Sequence, residues 1–334
     1  MDLKKQLNTF KKKINPLLIV FYGLIMGAVN KIPGVSGGIV PIIFGFYEKL
    51  IFSFSRLDIN SLTVLRKEGY KSFYKHINGK FLSLLLLGII ISFFSTSLII
   101  GYFLEKYYAQ TLGFFCGMII YSTSIILKKI SKINILNIIF IVSGIIIGIT
   151  FFLISPGKEI THPLFVFFCG IISVSGMVLP GLSGSMILLA LGNYKLLLID
   201  SVNALYYSII RIIMSNGIEN LDLVNKNLIF LLLVFAFGSI IGLVLFSKAL
   251  KHLIVKYKNI IMSSLVGFVL GSLGSVWPWK SEIFDDNIGS LFLKSTNSFY
   301  YYPNNLNIEN ITILASILTG IFIVSIIEKS NVKH

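Results

Sequence analysis

The chain has 334 residues, of which 55% are hydrophobic and 13% are charged, and its mean hydropathy is +0.86. Soluble domains carry about a quarter charged residues, so this composition excludes a soluble globular protein and indicates an integral membrane protein. The formal net charge of +15 would also suit a nucleic-acid-binding protein. The distribution of that charge along the chain instead follows membrane topology, as shown below, and we expect no nucleic-acid partner.

The chain begins with a lysine-rich stretch and an apolar run at residues 17–29. No small-x-small cleavage site follows, so we expect an uncleaved segment. The run ends at Pro33-Gly34-Val35-Ser36-Gly37-Gly38, where Pro and Gly prevent a helix from continuing. The next apolar run covers residues 39–54, and neither run reaches the ~20 residues needed to cross a bilayer. Because broken backbone at membrane depth must be enclosed by protein or line a cavity, residues 14–54 are predicted to form a re-entrant helical hairpin.

Three apolar runs long enough to cross follow, at residues 81–103, 112–127 and 133–154. A second broken region at 164–198 contains Pro180-Gly181-Leu182-Ser183-Gly184-Ser185. Three further crossings are predicted at 228–246, 260–277 and 311–327.

The two broken motifs are copies of one pattern. Pro33 and Pro180 are 147 residues apart, and the same offset pairs Gly45 with Gly192. The chain therefore divides into two repeats, residues 1–155 and 156–334, each with one hairpin and three crossings. Because three is odd, the second repeat is inverted in the membrane, which is a transporter architecture. The predicted fold is an all-α integral membrane protein with two inverted-topology repeats.

The basic residues support this topology. With the N-terminus in the cytoplasm, 20 of the 29 Lys and Arg residues fall in cytoplasmic segments and 6 in outer segments. The remaining three, Lys31, Lys49 and Lys195, belong to the hairpins. Cytoplasmic loops carry the excess of Lys and Arg, so we expect both termini in the cytoplasm of a bacterial inner-membrane protein. The basic loop 55–80 is either a solvated loop or a surface helix touching anionic lipids.

Each break starts a new half-helix, whose N-terminus offers free amides and a positive dipole end to an anion. Two such ends meeting within the membrane predict a phosphate site, to which Lys31 would add a charge. The alternatives are a turn that permits tight helix packing and a lysine that reaches the surface. The predicted phosphate-binding residues are Lys31, Pro33, Gly34, Ser36, Gly37, Gly38, Pro180, Gly181, Ser183, Gly184 and Ser185.

Five residues near the hairpin exits are candidates for coupling or gating: Glu48, Tyr47, Tyr194, Lys195 and Asp200. The repeat places Lys195 opposite Glu48, where the two would form an ion pair or couple transport to protons or another ion; the alternative is a solvated hairpin end. The cysteines, Cys116 and Cys169, lie in apolar runs and are interpreted as buried apolar side chains. No cluster has metal-site spacing, and we expect no cofactor and no catalytic residues.

The paired motifs resemble a bacterial family known as domain of unknown function 368. The resemblance rests on residues 30–38 with Gly45-Phe46-Tyr47-Glu48, and on residues 179–185 with Gly192-Asn193-Tyr194. It implies a flippase that returns undecaprenyl phosphate, a polyprenyl-phosphate lipid carrier used in cell-wall biogenesis, from the outer to the inner leaflet. Two alternatives stay open: a small inorganic-anion transporter or channel, and an intramembrane polyprenyl-diphosphate phosphatase.

Overall fold

The computed structural model of the chain describes residues 15–30, 36–153, 157–215, 223–281, 299–301, 303, 305 and 307–333. Within these residues the fold is helical apart from two short antiparallel strands, β1 (Lys280–Ser281) and β2 (Phe299–Tyr300). The helices are α1 (Pro16–Val29), α2 (Ile39–Ile43), α3 (Tyr47–Phe54), α4 (Ile59–His76), α5 (Gly79–Lys106), α6 (Tyr108–Leu127), α7 (Ile135–Leu153), α8 (Pro163–Val178), α9 (Gly184–Ala190), α10 (Ser201–Ser215), α11 (Leu223–Lys256), α12 (Lys258–Gly271) and α13 (Ile308–Lys333). A π-helical turn (Leu196–Asp200) precedes α10, and a 3₁₀ turn (Ser272–Val276) extends α12.

Helices α1 and α8, which open the two broken regions, begin in the same way. Each has a proline at its start, preceded by a capping side chain. The Asn15 side chain accepts a hydrogen bond from the Leu17 amide (3.0 Å), and the His162 side chain accepts one from the Leu164 amide (3.3 Å). Proline at the first helical position loses no hydrogen bond and fixes the starting backbone angle.

Four helices among the described residues are long and apolar enough to cross a membrane. They are Tyr108–Leu127, Val224–Lys256, Lys258–Val276 and Ile308–Ser330. A fifth candidate is the pair formed by α4 and the start of α5, which is bent by 57°. The prediction of an all-α, multi-pass membrane protein is therefore confirmed.

Two close helix pairs form within the halves of the chain, α1 with α5 and α8 with α11. Glycines lie at both crossings. A Cβ atom added to Gly23 would lie 2.9 Å from the Cα of Gly88, and one added to Gly170 would lie 3.1 Å from the carbonyl carbon of Gly238. Small residues allow this backbone approach in membrane helices.

Two further pairs, α6 with α13 and α7 with α12, join the first half of the chain to the second. Gly144 of α7 lies against Gly267 of α12, where an added Cβ would be 2.9 Å from its Cα. Gly117 of α6 lies directly against the backbone of Ile317 in α13. The same packing principle therefore holds the two halves together.

All four pairs are parallel, because successive contacts advance along both helices in the same direction. The contacts, in order, are Gly23–Gly88 and Gly27–Ser92, Phe167–Gly238 and Ile171–Gly242, Gly113–Ile313 and Gly117–Ile317, and Gly144–Gly267 and Gly148–Gly271.

Ion pairs gather at one end of the bundle, which we call the ion-pair end. The pairs are Lys128–Glu328 (2.9 Å), Lys248–Asp58 (3.0 Å) and Lys258–Glu48 (3.0 Å). Ser131, in the loop before α7, bonds to Asn259 at the start of α12. Each ion pair therefore joins the first half of the chain to the second at this end.

The opposite end is held by neutral hydrogen bonds among the described residues. Gln110 at the start of α6 donates to Thr312 of α13 (3.2 Å), and Trp279 donates to Asn310 (2.8 Å). The two ends of the bundle thus differ in the chemistry that closes them.

Candidate functional site

The two broken motifs lie in contact. The Ser36 hydroxyl, which is only 5% exposed, reaches the carbonyl oxygens of Leu179 (3.2 Å) and Gly176 (3.5 Å). Leu179 directly precedes the Pro180-Gly181 break. Residues 143 positions apart are thereby joined at the point where both helices are interrupted.

In the first break, four successive amides have acceptors. The Gly37 amide donates to the Asn30 side-chain oxygen (2.9 Å), and the Gly38 amide donates to the Ser36 hydroxyl (3.2 Å). The amides of Ile39 and Val40 donate to carbonyls within the break. These four amides at the start of α2 already have acceptors. The N-terminus of α2 therefore offers an anion fewer free donors than the sequence predicts.

Asn30 also explains why Gly37 is a glycine. A Cβ atom at Gly37 would overlap the Asn30 side chain. A bulky substitution there would displace this cap, so its effect would not report on an anion site alone.

The second break is arranged differently. Ser183 precedes α9 in extended backbone but does not cap it; its hydroxyl lies 2.7 Å from that of Ser185. Among the described residues, the amides of Gly184, Ser185 and Met186 have no hydrogen-bond acceptor. Hydroxyls and free amides are the groups that bind a phosphate oxygen, so the second break has the donors that the first lacks.

A small, partly open cavity lies beside this second break, with a volume of about 10 Å³, which is room for about one water molecule. Its lining residues are Gly148, Gly181, Leu182, Ser183, Met186, Ile187, Ser272 and Ser275. At 1.5 Å per helical residue, Gly148 and Ser272 lie roughly 20 Å from the ion-pair ends of α7 and α12. The cavity therefore lies in the half of the bundle remote from the ion pairs.

Two cavity residues, Ser272 and Ser275, were not predicted from the sequence. Both are buried, and their hydroxyls donate to Val269 and Ser272 carbonyls respectively. The available signal was a pair of serines three residues apart inside the apolar run 260–277, a spacing that places both on one helix face.

Gly181 fixes the second break against α12. Its backbone has φ +88°, which favours glycine, and an added Cβ would lie 2.6 Å from the backbone of Phe268 and Val269. Pro180 and Gly184 are buried at the same place. Lys31, Pro33 and Gly34 lie outside the described residues.

The gating candidates do not form one cluster around Glu48. Glu48 pairs with Lys258, so the ion pair considered with Lys195 is not formed; Lys195 is exposed. The repeat aligns positions in the sequence, but it does not show which helices meet. In the structure α3 packs against α11, and its first turn lies beside the start of α12.

The remaining candidates are placed separately. Tyr47 is fully buried, and its hydroxyl has no hydrogen-bond partner among the described residues. Tyr194 is half-buried, and Asp200 is half-buried at the end of the π-helical turn. No contact described here gives Tyr194 or Asp200 a role in gating, and those assignments stay predictions.

Comparisons with known proteins agree on one family. The model of the VCA0040-like, undecaprenyl phosphate translocase-like family matches residues 26–290. A polyprenyl-phosphate transporter of Vibrio cholerae is 31% identical over 272 residues, which cover 81% of each chain. A polyprenyl-phosphate transporter of Staphylococcus aureus is 26% identical over 273 residues, covering 78% of this chain and 85% of the relative. No solved structure matches the chain.

Replacing Gly181 with alanine should destabilise the protein more than replacing Gly45. Both glycines have positive φ, but a Cβ at Gly45 meets nothing within 4 Å, whereas one at Gly181 meets the α12 backbone. We expect about 1–2 kcal/mol for the backbone strain in both variants and about 1–3 kcal/mol more in Gly181→Ala for overpacking. Thermal unfolding in detergent measures the difference; equal losses would contradict the packing of this break on α12.

Proposed function

Because the chain belongs to the VCA0040-like, undecaprenyl phosphate translocase-like family, we propose that it carries undecaprenyl phosphate from the outer to the inner leaflet of a bacterial cytoplasmic membrane. The match to polyprenyl-phosphate transporters over most of each chain is the observation that carries this proposal. Since these relatives are named as transporters, the protein is expected to move its lipid without chemical change.

We infer an inverted repeat from the helix directions. Helix α1 is parallel to α5, so the segment between them has to return to the side where α1 began. The same argument applies to α8 and α11. Two re-entrant hairpins and six crossings then follow, with residues 1–155 and 156–334 as opposed repeats. This arrangement places all three ion pairs in segments that the basic-residue distribution assigns to the cytoplasmic side.

The topology can be tested with single cysteines labelled by an impermeant reagent. Lys71→Cys and Lys256→Cys should react only from the cytoplasmic side, and Lys158→Cys only from outside. All three positions are exposed, while Cys116 and Cys169 are buried and serve as the unreactive background. Labelling of Lys71→Cys from outside would contradict both the re-entrant hairpin and the inverted repeat.

The second break is the proposed phosphate subsite. Ser183 lines the cavity and its hydroxyl lies beside that of Ser185, and the first amides of α9 follow directly in the chain as further donors. Ser36 has a different proposed role, since its hydroxyl ties the first break to the carbonyls of the second. The rest of the predicted set are chain breaks or neighbouring groups: Lys31, Pro33, Gly34, Gly37, Gly38, Pro180, Gly181 and Gly184.

The substrate proposal predicts that vesicles containing the protein move a polyprenyl phosphate between leaflets. Ser183→Ala with Ser185→Ala should slow this transport, because a hydrogen bond to a charged group contributes about 1.5–3 kcal/mol, or roughly tenfold or more per hydroxyl. Ser95→Ala is the matched control, since Ser95 is exposed on α5 and bonds only to its own helix. Transport is measured by the accessibility of the lipid phosphate to an impermeant binder.

Two outcomes of the same assay would replace the proposal. Equal transport of inorganic phosphate, which lacks the lipid tail, would favour a small-anion transporter. Release of inorganic phosphate from a polyprenyl diphosphate would indicate the phosphatase. Normal transport by the double serine variant would contradict the assignment of the phosphate subsite to the second break. It would not affect the proposal for the substrate.

We further propose that the ion-pair end is the cytoplasmic gate. Its three ion pairs each join the two halves of the chain, while the cavity lies toward the opposite end. Burial alone would raise the pKa of Asp58, but hydrogen bonds from Lys248 and the Ser61 amide lower it overall. The contribution of this pair is therefore present at neutral pH and is lost as pH falls through the lowered pKa. In this proposal, the three ion pairs hold the cytoplasmic end closed in the described conformation.

Breaking one pair should open this gate. In a Met186→Cys background, which reports from the cavity wall, Glu48→Lys should increase labelling from the cytoplasmic side. Glu48→Lys combined with Lys258→Glu should restore the wild-type rate. Because both side chains are partly exposed, a single pair contributes about 0–1 kcal/mol, so the expected increase is at most roughly fivefold. Absence of rescue by the charge swap would return Glu48 to a solvated surface role.

A further inference from the structure

Helix α4 is anchored at both ends to the ion-pair end of the bundle. Asp58 precedes it, pairs with Lys248 (3.0 Å) and accepts a hydrogen bond from the Ser61 amide (3.0 Å). At the other end, the Arg56 guanidinium donates to the His76 carbonyl (3.1 Å). The helix is bent by 57° from α5, so it leaves the direction of the crossing helix at this surface.

The basic side chains of α4 outnumber its acidic ones, since the helix contains four Lys and Arg residues and one acidic residue, Glu68. Arg66, Lys67, Lys71 and Lys75 are exposed, and among the described residues none has an acidic group within 4 Å. The lysines of the three ion pairs at the same end do have acidic partners. The excess positive charge of α4 can therefore bind an anion outside the protein.

An exposed apolar stripe runs beside these charges. Ile59, Leu62 and Leu65 are 79%, 55% and 37% exposed and recur every three residues, which places them along one side of the helix. Tyr70, beyond the break at Gly69, is 68% exposed. Apolar and basic side chains together are the composition of a helix that lies in a membrane interface.

The corresponding helix of the second half lacks the charge. The 147-residue offset places α10 (Ser201–Ser215) at the position of α4, and α10 also exposes large apolar side chains, including Tyr206 and Tyr207. Its sequence contains one basic residue, Arg211. The repeat therefore uses an exposed apolar helix at both positions, and the four basic residues are a property of α4 alone.

We propose that α4 is a binding surface for the headgroups of anionic phospholipids in the leaflet at the ion-pair end. The stripe of Ile59, Leu62 and Leu65 enters the interface, and the basic side chains contact the lipid phosphates. Each Lys or Arg near an anionic surface contributes about a fivefold preference. This surface binds bulk membrane lipid and is independent of the transport substrate.

The test places an environment-sensitive fluorophore on Leu62→Cys in protein reconstituted in phosphatidylcholine vesicles with or without phosphatidylglycerol. The buried native cysteines leave this site as the reactive thiol. We expect phosphatidylglycerol to shift the emission to the blue and high salt to reverse that shift. Replacing Arg66, Lys67, Lys71 and Lys75 with glutamine should abolish the response. The pair Lys67→Gln and Lys71→Gln should halve it and serves as a milder variant.

A matched variant separates α4 from net charge. Lys80, Lys132, Lys256 and Lys329 belong to the same end of the bundle, are exposed and lie outside α4, so their replacement with glutamine removes the same charge. This control should keep the response to phosphatidylglycerol. Equal loss in both quadruple variants, or an unchanged emission when phosphatidylglycerol is added to the native sequence, would overturn the proposal.

Discussion

Backbone amides and carbonyls within a membrane have to find partners inside the protein, since no water is available there. This constraint organises the structure around its two broken helices. The first break meets it with Asn30 and Ser36, whose side chains accept from the Gly37 and Gly38 amides. Ser36 also donates to the Leu179 carbonyl. The side chain that accepts from an amide of the first break therefore also holds the second break against it.

Once the breaks are in contact, the surrounding helices have to approach closely enough to enclose them. Glycines at all four crossings permit this, and the two helices of each pair run parallel. The two breaks then differ in the backbone amides that they leave without an acceptor. In the first break the amides of residues 37–40 have acceptors, while the second break retains donors beside a cavity. Of two similar motifs, one is therefore tied to its neighbour by hydrogen bonds, and the other keeps free hydrogen-bond donors.

Much of this arrangement could be predicted from periodicity and spacing. Apolar runs predicted membrane helices, and the 147-residue offset predicted two breaks of similar sequence. The partners of individual side chains could not be predicted, because they depend on which helices meet. Glu48 pairs with Lys258 because α3 lies near the start of α12, and no spacing within one repeat shows that. Ser272 and Ser275 likewise acquire their place only when α12 packs on α7 beside Gly181.

The pairing of helices also sets an order for biogenesis. Helices α1 and α5, or α8 and α11, emerge from the ribosome within the same half of the chain and can pack soon after insertion. Helix α6 has its partner α13 about 200 residues later, as the separation of Lys128 and Glu328 shows. At 5–20 residues per second that interval is roughly 10–40 s. Throughout it, the glycines of α6 wait for their partner helix, so the contact between α6 and α13 is the last of the four helix pairs that can form.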